Sequence, residues 1–220
     1  MSSFLLAPAL ILGLLVQSTS PGSAEQLAAR IQQRYDTIRD FEATFVQTYE
    51  GGVLRTKTTE RGTLAVKRPG RMRWVYSQPE RKEFVSDGIR VYSYLPVDKQ
   101  VIVSAVPPEH QATTPALFLA GKGHLVRDFT ASLTDLPGAA PGTLALKLVP
   151  KRADPELEWL ILGVDPTTLQ ILQLVATDRQ GGRSAFAFSN LKENRGLSDK
   201  IFEFRIPRGV DVITNGVPAK

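Results

Sequence analysis

The chain has 220 residues, a formal net charge of +5 and no cysteine. The lack of cysteine excludes disulfides, thiol chemistry and a lipid anchor attached through an N-terminal cysteine. Two histidines without partners at metal-ligand spacing, and no G-x-S-x-G, H-E-x-x-H or phosphate-loop motif, argue against an enzyme, a metal site and a bound cofactor. The remaining possibility for an enzyme is a catalytic pair of carboxylates brought together from distant strands, as in glycosidases.

Residues 1–24 have the features of a secretory signal peptide. They contain no charged side chain, and their apolar run from Phe4 to Val16 is too short to span a bilayer as a helix. A small-x-small tripeptide ends at Ala24, which is typical of a signal-peptidase site, although the usual positive charges at the start are missing. We predict export with cleavage after Ala24, and one domain over residues 25–220.

The next segment predicts an amphipathic helix. In "SAEQLAARIQQRYDTIRDF", residues 23–41, four apolar side chains recur at helical spacing on one stripe: Leu27, Ile31, Tyr35 and Ile38.

From Phe41 the apolar period changes to two, which indicates β-strands as far as Val106. Gly51-Gly52 and "KRPG" at residues 67–70 predict turns, and Asp87-Gly88 predicts a tight two-residue hairpin. In "DGIRVYSY" apolar side chains point to both faces of the strand, Ile89 and Val91 to one and Tyr92 and Tyr94 to the other. A half-solvated sheet would not need this pattern, so we expect something to cover its second face.

The alternation stops at "PPEHQATTPALFLAGKG", where Pro115 to Ala120 predict a short helix. Leu117, Phe118 and Leu119 follow one another directly, so they cannot share one face of a helix. The segment is either a plug that is buried all round or a movable lid over an apolar space. The hinge-like composition of its flanks favours the lid.

Four or five further strands follow, and there is no βαβ unit or repeat. The pattern predicts an α+β, mainly β protein built on a single curved antiparallel sheet, with helices on the concave side.

Positive charge is concentrated between residues 55 and 73, a stretch with seven cationic side chains and only one acidic side chain, Glu60. This stretch is either the solvated outer face of the sheet or a surface for an acidic partner or an anionic membrane. Nucleic acid is not an expected partner of an exported protein.

Several motifs together resemble LolA, the outer-membrane lipoprotein carrier family. They are "FEATFVQTY", "GTLAVKRPGRMRWVYSQP", "FVSDGIRVYSY" and "TPALFLAG", and the likeness continues to "FEFRIPRGVDV". The resemblance implies an unclosed (half) β-barrel with helices as a lid over an apolar cavity. It also implies a monomer in the periplasm that takes acylated lipoproteins from an inner-membrane ABC transporter and passes them to an outer-membrane lipoprotein receptor.

The resemblance also suggests the residues of the site. Arg68 matches the arginine that holds the lid of the empty carrier closed by binding backbone carbonyls, and Arg71 and Arg73 would face water. The expected cavity and lid residues are Phe45, Leu64, Val66, Met72, Trp74, Tyr76, Tyr92, Tyr94, Leu117, Phe118 and Leu119. The alternative is another periplasmic module on the same fold, either a lipid or glycolipid carrier or a sensor of mislocalised lipoproteins.

Overall fold

The computed structural model describes residues 22–51, 56–106, 119 and 123–215. The first part contains α1 (Gly22–Asp36), β1 (Asp40–Glu50), β2 (Lys57–Lys67), β3 (Arg71–Gln78), β4 (Lys82–Asp87), β5 (Arg90–Leu95) and β6 (Gln100–Ala105). The second contains α2 (Leu125–Asp128), β7 (Phe129–Leu133), β8 (Leu144–Pro150), β9 (Leu157–Val164), β10 (Ile171–Asp178), β11 (Arg183–Glu193), a 3₁₀ helix (Asp199–Phe202) and β12 (Asp211–Asn215). No helix in these described ranges is long and apolar enough to cross a membrane.

All twelve strands belong to one sheet, in the order β12-β6-β5-β4-β3-β2-β1-β11-β10-β9-β8-β7. Two antiparallel meanders, β1 to β6 and β7 to β11, join where β11 pairs with β1. The edge strands β7 and β12 do not pair with each other, so the sheet is unclosed, as predicted. One detail differs, because β12 lies parallel to β6 and the sheet is not wholly antiparallel.

The inner face of the sheet forms the main core, and α1 packs against it. Leu64 lies opposite Trp74, and Val66 lies opposite Met72, so the period of two puts these side chains on one surface. The predicted stripe of α1 is buried there, with Ile31 only 1% exposed. The helix ends at Asp36, before Ile38, yet Ile38 is buried as well.

The outer face of β3 to β5 is covered by the C-terminal strap, the name used here for residues 195–206. Phe202 is 1% exposed, and the ring of Phe204 stacks on Tyr92 at 5.3 Å and packs against Tyr94 at 5.9 Å between centroids. The expectation that something covers the second face is therefore confirmed, and the cover is this strap. The strap lies about a hundred residues downstream of the strands it covers, so local sequence patterns could not identify it.

A buried carboxylate fixes the start of the strap. Asp40, at the beginning of β1, is 4% exposed and accepts hydrogen bonds from the backbone N–H groups of Arg195 at 2.7 Å, Gly196 at 3.0 Å and Leu197 at 3.3 Å. These bonds satisfy a charge that would otherwise be costly to bury.

Arg71 and Arg73 fix the middle of the strap, which corrects the expectation that they face water. Arg71 pairs with Asp199 at 2.8 Å. Arg73 donates to the carbonyl oxygen of Ile201 at 2.7 Å and pairs with the buried carboxylate of Glu83. These arginines alternate with apolar side chains on β3 because the outer face of the strand is itself an intramolecular interface.

The β4–β5 hairpin has a two-residue loop as predicted, but shifted by one position to Gly88 and Ile89. Gly88 has φ of +97°, which suits glycine, and Asp87 accepts from the backbone N–H groups of Ile89 and Arg90. Ile89 is therefore a turn residue, 77% exposed, and does not share a strand face with Val91.

Candidate functional site

Aromatic rings fill the middle of the inner face. The ring of Phe45 lies edge-on to Trp74 and Tyr76, with centroids 5.0 and 4.9 Å apart, and 6.2 Å from Phe186. Phe186 stacks on Phe188 at 6.2 Å. Six predicted site residues are brought together on this buried face: Phe45, Leu64, Val66, Met72, Trp74 and Tyr76.

Gly62 allows the ring of Phe45 to lie directly on the backbone of β2. The two residues are opposite each other, and a Cβ atom at Gly62 would lie 2.8 Å from Cζ of Phe45 and 2.1 Å from the carbonyl oxygen of Val75. No other residue type fits at this point without movement of the backbone.

Arg68 contacts the carboxyl end of α1. Its Nη1 donates to the backbone carbonyl of Tyr35, and its guanidinium lies 4.9 Å from the centre of the Tyr35 ring. A cation at this end of a helix is favoured by the helix dipole, and the planar guanidinium can stack on the ring at the same time.

The hydroxyl of Tyr35 links α1 to Leu119, the one described residue of the predicted lid segment. It donates to the carbonyl oxygen of Leu119 at 3.2 Å, and Leu119 is helical and 3% exposed. Burial raises the pKa of the Tyr35 hydroxyl, which the positive charge of Arg68 partly opposes, so the group remains a neutral donor at physiological pH.

Gln32 holds the middle of α1 and was missed by the sequence analysis. It is 7% exposed, its Oε1 accepts from the backbone N–H of Leu125 in α2 at 2.8 Å, and its Nε2 donates to Asp36 at 2.8 Å. A polar side chain next to an apolar stripe was the only signal that could have identified it.

A crevice of about 10 Å³ remains between α1 and the sheet. It is lined by Tyr35, Phe41, Leu119, Ile171, Phe188, Leu191 and Glu193. This volume is room for about one water molecule, far below the range of about 300–1,000 Å³ typical of ligand pockets. The described part of the inner face is therefore filled mainly by its own side chains.

A larger groove of about 390 Å³ lies on the outer face, but its chemistry differs. Charged side chains, those of Glu42, Arg73 and Lys192, contribute to its walls. An apolar chain would have to displace the water around these charges, which disfavours this groove as a site for an apolar ligand.

Tyr92 and Tyr94 are not part of the inner face, so their assignment to the predicted cavity is wrong. In the β4–β5 register they lie opposite Val85 and Glu83, which point away from Trp74, and both rings contact Phe204 of the strap. Leu117 and Phe118 lie outside the described residues. Leu119 packs with the inner core.

In the described ranges no group of three or more histidine, aspartate or glutamate side chains is placed to hold a metal ion. What the site offers is an apolar concave surface, a helix lying across it and an arginine bound to the end of that helix. These features define an open-sheet protein with a helix-covered apolar inner face.

Comparison with known proteins identifies the family. Residues 36–205 match the sequence profile described as "Outer membrane lipoprotein carrier protein LolA", and the chain belongs to this family. It is 34% identical to the outer-membrane lipoprotein carrier protein of Chromohalobacter salexigens over 203 residues, which cover 92% of this chain and 91% of that protein. It is 30% identical to the protein of the same name from Methylococcus capsulatus, with coverage of 84% and 86%.

A solved structure supports the fold alone. An uncharacterised conserved protein from Thermus thermophilus superposes with a TM-score of 0.53 at 14% identity, over 88% of this chain and 99% of that one.

Proposed function

We propose that this protein carries acylated lipoproteins across the periplasm from the inner to the outer membrane, with the acyl chains shielded against the inner face of its sheet. The observation that supports this most is the apolar inner face under α1, whose carboxyl end is bound by Arg68. Membership of the lipoprotein carrier family agrees with it. A carrier of this kind needs no catalytic group.

The energetics of acyl-chain burial explain why such a carrier needs partners. Each buried methylene is worth about 0.8 kcal/mol relative to water, so a chain of roughly fifteen methylenes gains on the order of 12 kcal/mol in any apolar site. A membrane offers this gain as fully as a protein does. We therefore propose that an inner-membrane ABC transporter supplies the energy for loading, and that an outer-membrane receptor offers the chains a better site.

The closed state, with α1 bound against the inner face, would lower the affinity for cargo and so favour its release to the receptor. If the empty protein must first release α1, the apparent affinity is the intrinsic affinity multiplied by the fraction of molecules that are open. Arg68 would set that fraction, because it contacts both the ring and the backbone carbonyl of Tyr35 near the end of α1. A carrier that closes well when empty can pass its cargo on to a receptor.

Replacement of Arg68 by leucine tests this role. We expect Arg68→Leu to accept lipoprotein from the transporter at least as readily as the parent, but to release it more slowly to the receptor. The matched control is Arg61→Leu, which removes an exposed arginine from the outer face of β2, the strand that ends just before Arg68, and it should behave like the parent. Equal release rates for Arg68→Leu and the parent would contradict the proposal.

The lipid bound to the purified protein separates the alternatives. Triacylated peptide supports a lipoprotein carrier, whereas glycolipid or polyisoprenoid lipid would point to a different periplasmic carrier. A sensor of mislocalised lipoproteins would bind the acylated peptide but would not deliver it to the receptor.

A further inference from the structure

We infer that the ion pair between Arg34 and Glu193 helps to hold α1 against the sheet. We call it a second latch, where a latch is a contact that must break before α1 can move away, and Arg68 is the first. Arg34 and Glu193 are positioning residues and act separately from Arg68. This inference rests on the proposed function only in that opening of α1 is the step the latch would control. Its geometry and its test concern the opening itself.

The pair has the geometry of a specific contact. Nη2 of Arg34 lies 2.6 Å from Oε2 of Glu193, and Nε of the same guanidinium donates to the backbone carbonyl of Thr168. Gln170 donates to the same carboxylate oxygen at 3.3 Å. Arg34 therefore uses two edges of its guanidinium to join α1 to β11 and to the β9–β10 turn, which a lysine could not do equally well.

Partial burial makes this pair stronger than an ordinary surface ion pair. The side chains of Arg34 and Glu193 are 23% and 17% exposed. Exposed pairs contribute little because water screens them and both side chains lose freedom. Glu193 also lines the crevice, beside Tyr35 and Leu119.

The two latches lie on opposite sides of one strand. Phe41 of β1 pairs with Val66, near Arg68, on one side and with Glu193 on the other. The ring of Tyr35 lies over this point, 6.4 Å from the ring of Phe41. The last turn of α1 is thus tied down from both sides, by Arg68 at Tyr35 and by Glu193 at the preceding residue. Release of one contact leaves the other in place.

Hydrogen exchange of the backbone amides in α1 provides the test. We expect Glu193→Gln, which keeps the shape but removes the charge, to raise the opening equilibrium of the last turn of α1 about ten-fold. Amides in β9 and β10 should exchange at the parental rate. The rate of uptake of a neutral apolar dye, N-phenyl-1-naphthylamine, should rise by the same factor as the opening equilibrium. Glu42→Gln, on the outer face, is the matched control and should change neither quantity.

Further variants separate a latch from a general loss of stability. Glu193→Asp keeps the charge and should restore part of the parental protection of α1. Glu193→Gln combined with Arg68→Leu should multiply the two single effects if the latches act independently. Unchanged exchange in α1, or faster exchange spread evenly over the whole sheet, would overturn the inference. Neither readout uses lipoprotein, so failure of the carrier proposal would leave this result unaffected.

Discussion

Truncation of Phe45 to alanine tests how much the aromatic cluster on the inner face contributes to the free energy of unfolding. The ring is 2% exposed and contacts three other aromatic rings within 6.2 Å. Burial of a phenylalanine side chain is worth about 1.5–3 kcal/mol, and each aromatic pair adds about 0.5–1.5 kcal/mol. Gly62 has no side chain that could fill the space left by the ring.

We therefore expect Phe45→Ala to lower the free energy of unfolding by about 3–5 kcal/mol, the range usual for loss of a buried phenylalanine. Urea denaturation followed by tryptophan fluorescence measures it, since Trp74 lies next to the change. Tyr49→Ala, at a 37% exposed position on the same strand, is the control and should cost less than about 1 kcal/mol. A loss below about 1.5 kcal/mol for Phe45→Ala would show that the cluster can collapse around the cavity, which would refute the reasoning.

Two further predictions concern the sheet and the strap. Gly62→Ala should destabilise the fold by about 1–3 kcal/mol or more, since its Cβ would lie 2.1 Å from a backbone oxygen; urea denaturation showing a loss under about 0.5 kcal/mol would contradict this. The hydrogen bond from Lys67, helped by the charge of Arg71, lowers the pKa of Asp199. The stability from this carboxylate is complete above about pH 3.9, its unfolded pKa, and is lost as pH falls through the lower folded value. The difference in melting temperature between Asp199→Asn and the parent should therefore shrink below about pH 4; a constant difference would argue against the pairing.

Periodicity in the sequence was enough to predict the inner face. The alternation in β1, β2 and β3 places Phe45, Leu64 and Trp74 on one surface, and the helical stripe of α1 places Ile31 against it. These are local patterns, and the apolar core follows them because burial of apolar area dominates the choice of face.

Face assignment fails where both sides of a strand are covered. The sequence correctly groups Tyr92 with Tyr94, since they are two residues apart, but periodicity cannot say which face they share. The register of β5 on β4 decides that, and the partner ring of Phe204 comes from far along the chain. The same strap explains Arg73, which has the spacing of a solvent-facing residue but pairs with Glu83.

Contacts between elements distant in the sequence could not be predicted either. Arg34 is an ordinary helix-surface residue by its spacing, and its partner Glu193 lies 159 positions away. Arg68 was identified only through resemblance to a family. In the structure it binds a backbone carbonyl, that of Tyr35, while its role in holding a lid stays a prediction.

The most direct test of the central claim is native mass spectrometry of Arg68→Leu purified from the periplasm without detergent, beside the parent. We expect triacylated lipoprotein bound to the variant in greater amount than to the parent, because a weakened closed state releases cargo poorly. Lipid-free protein in both preparations, or a bound lipid with no attached peptide, would contradict the proposal that this protein carries lipoproteins under the control of Arg68.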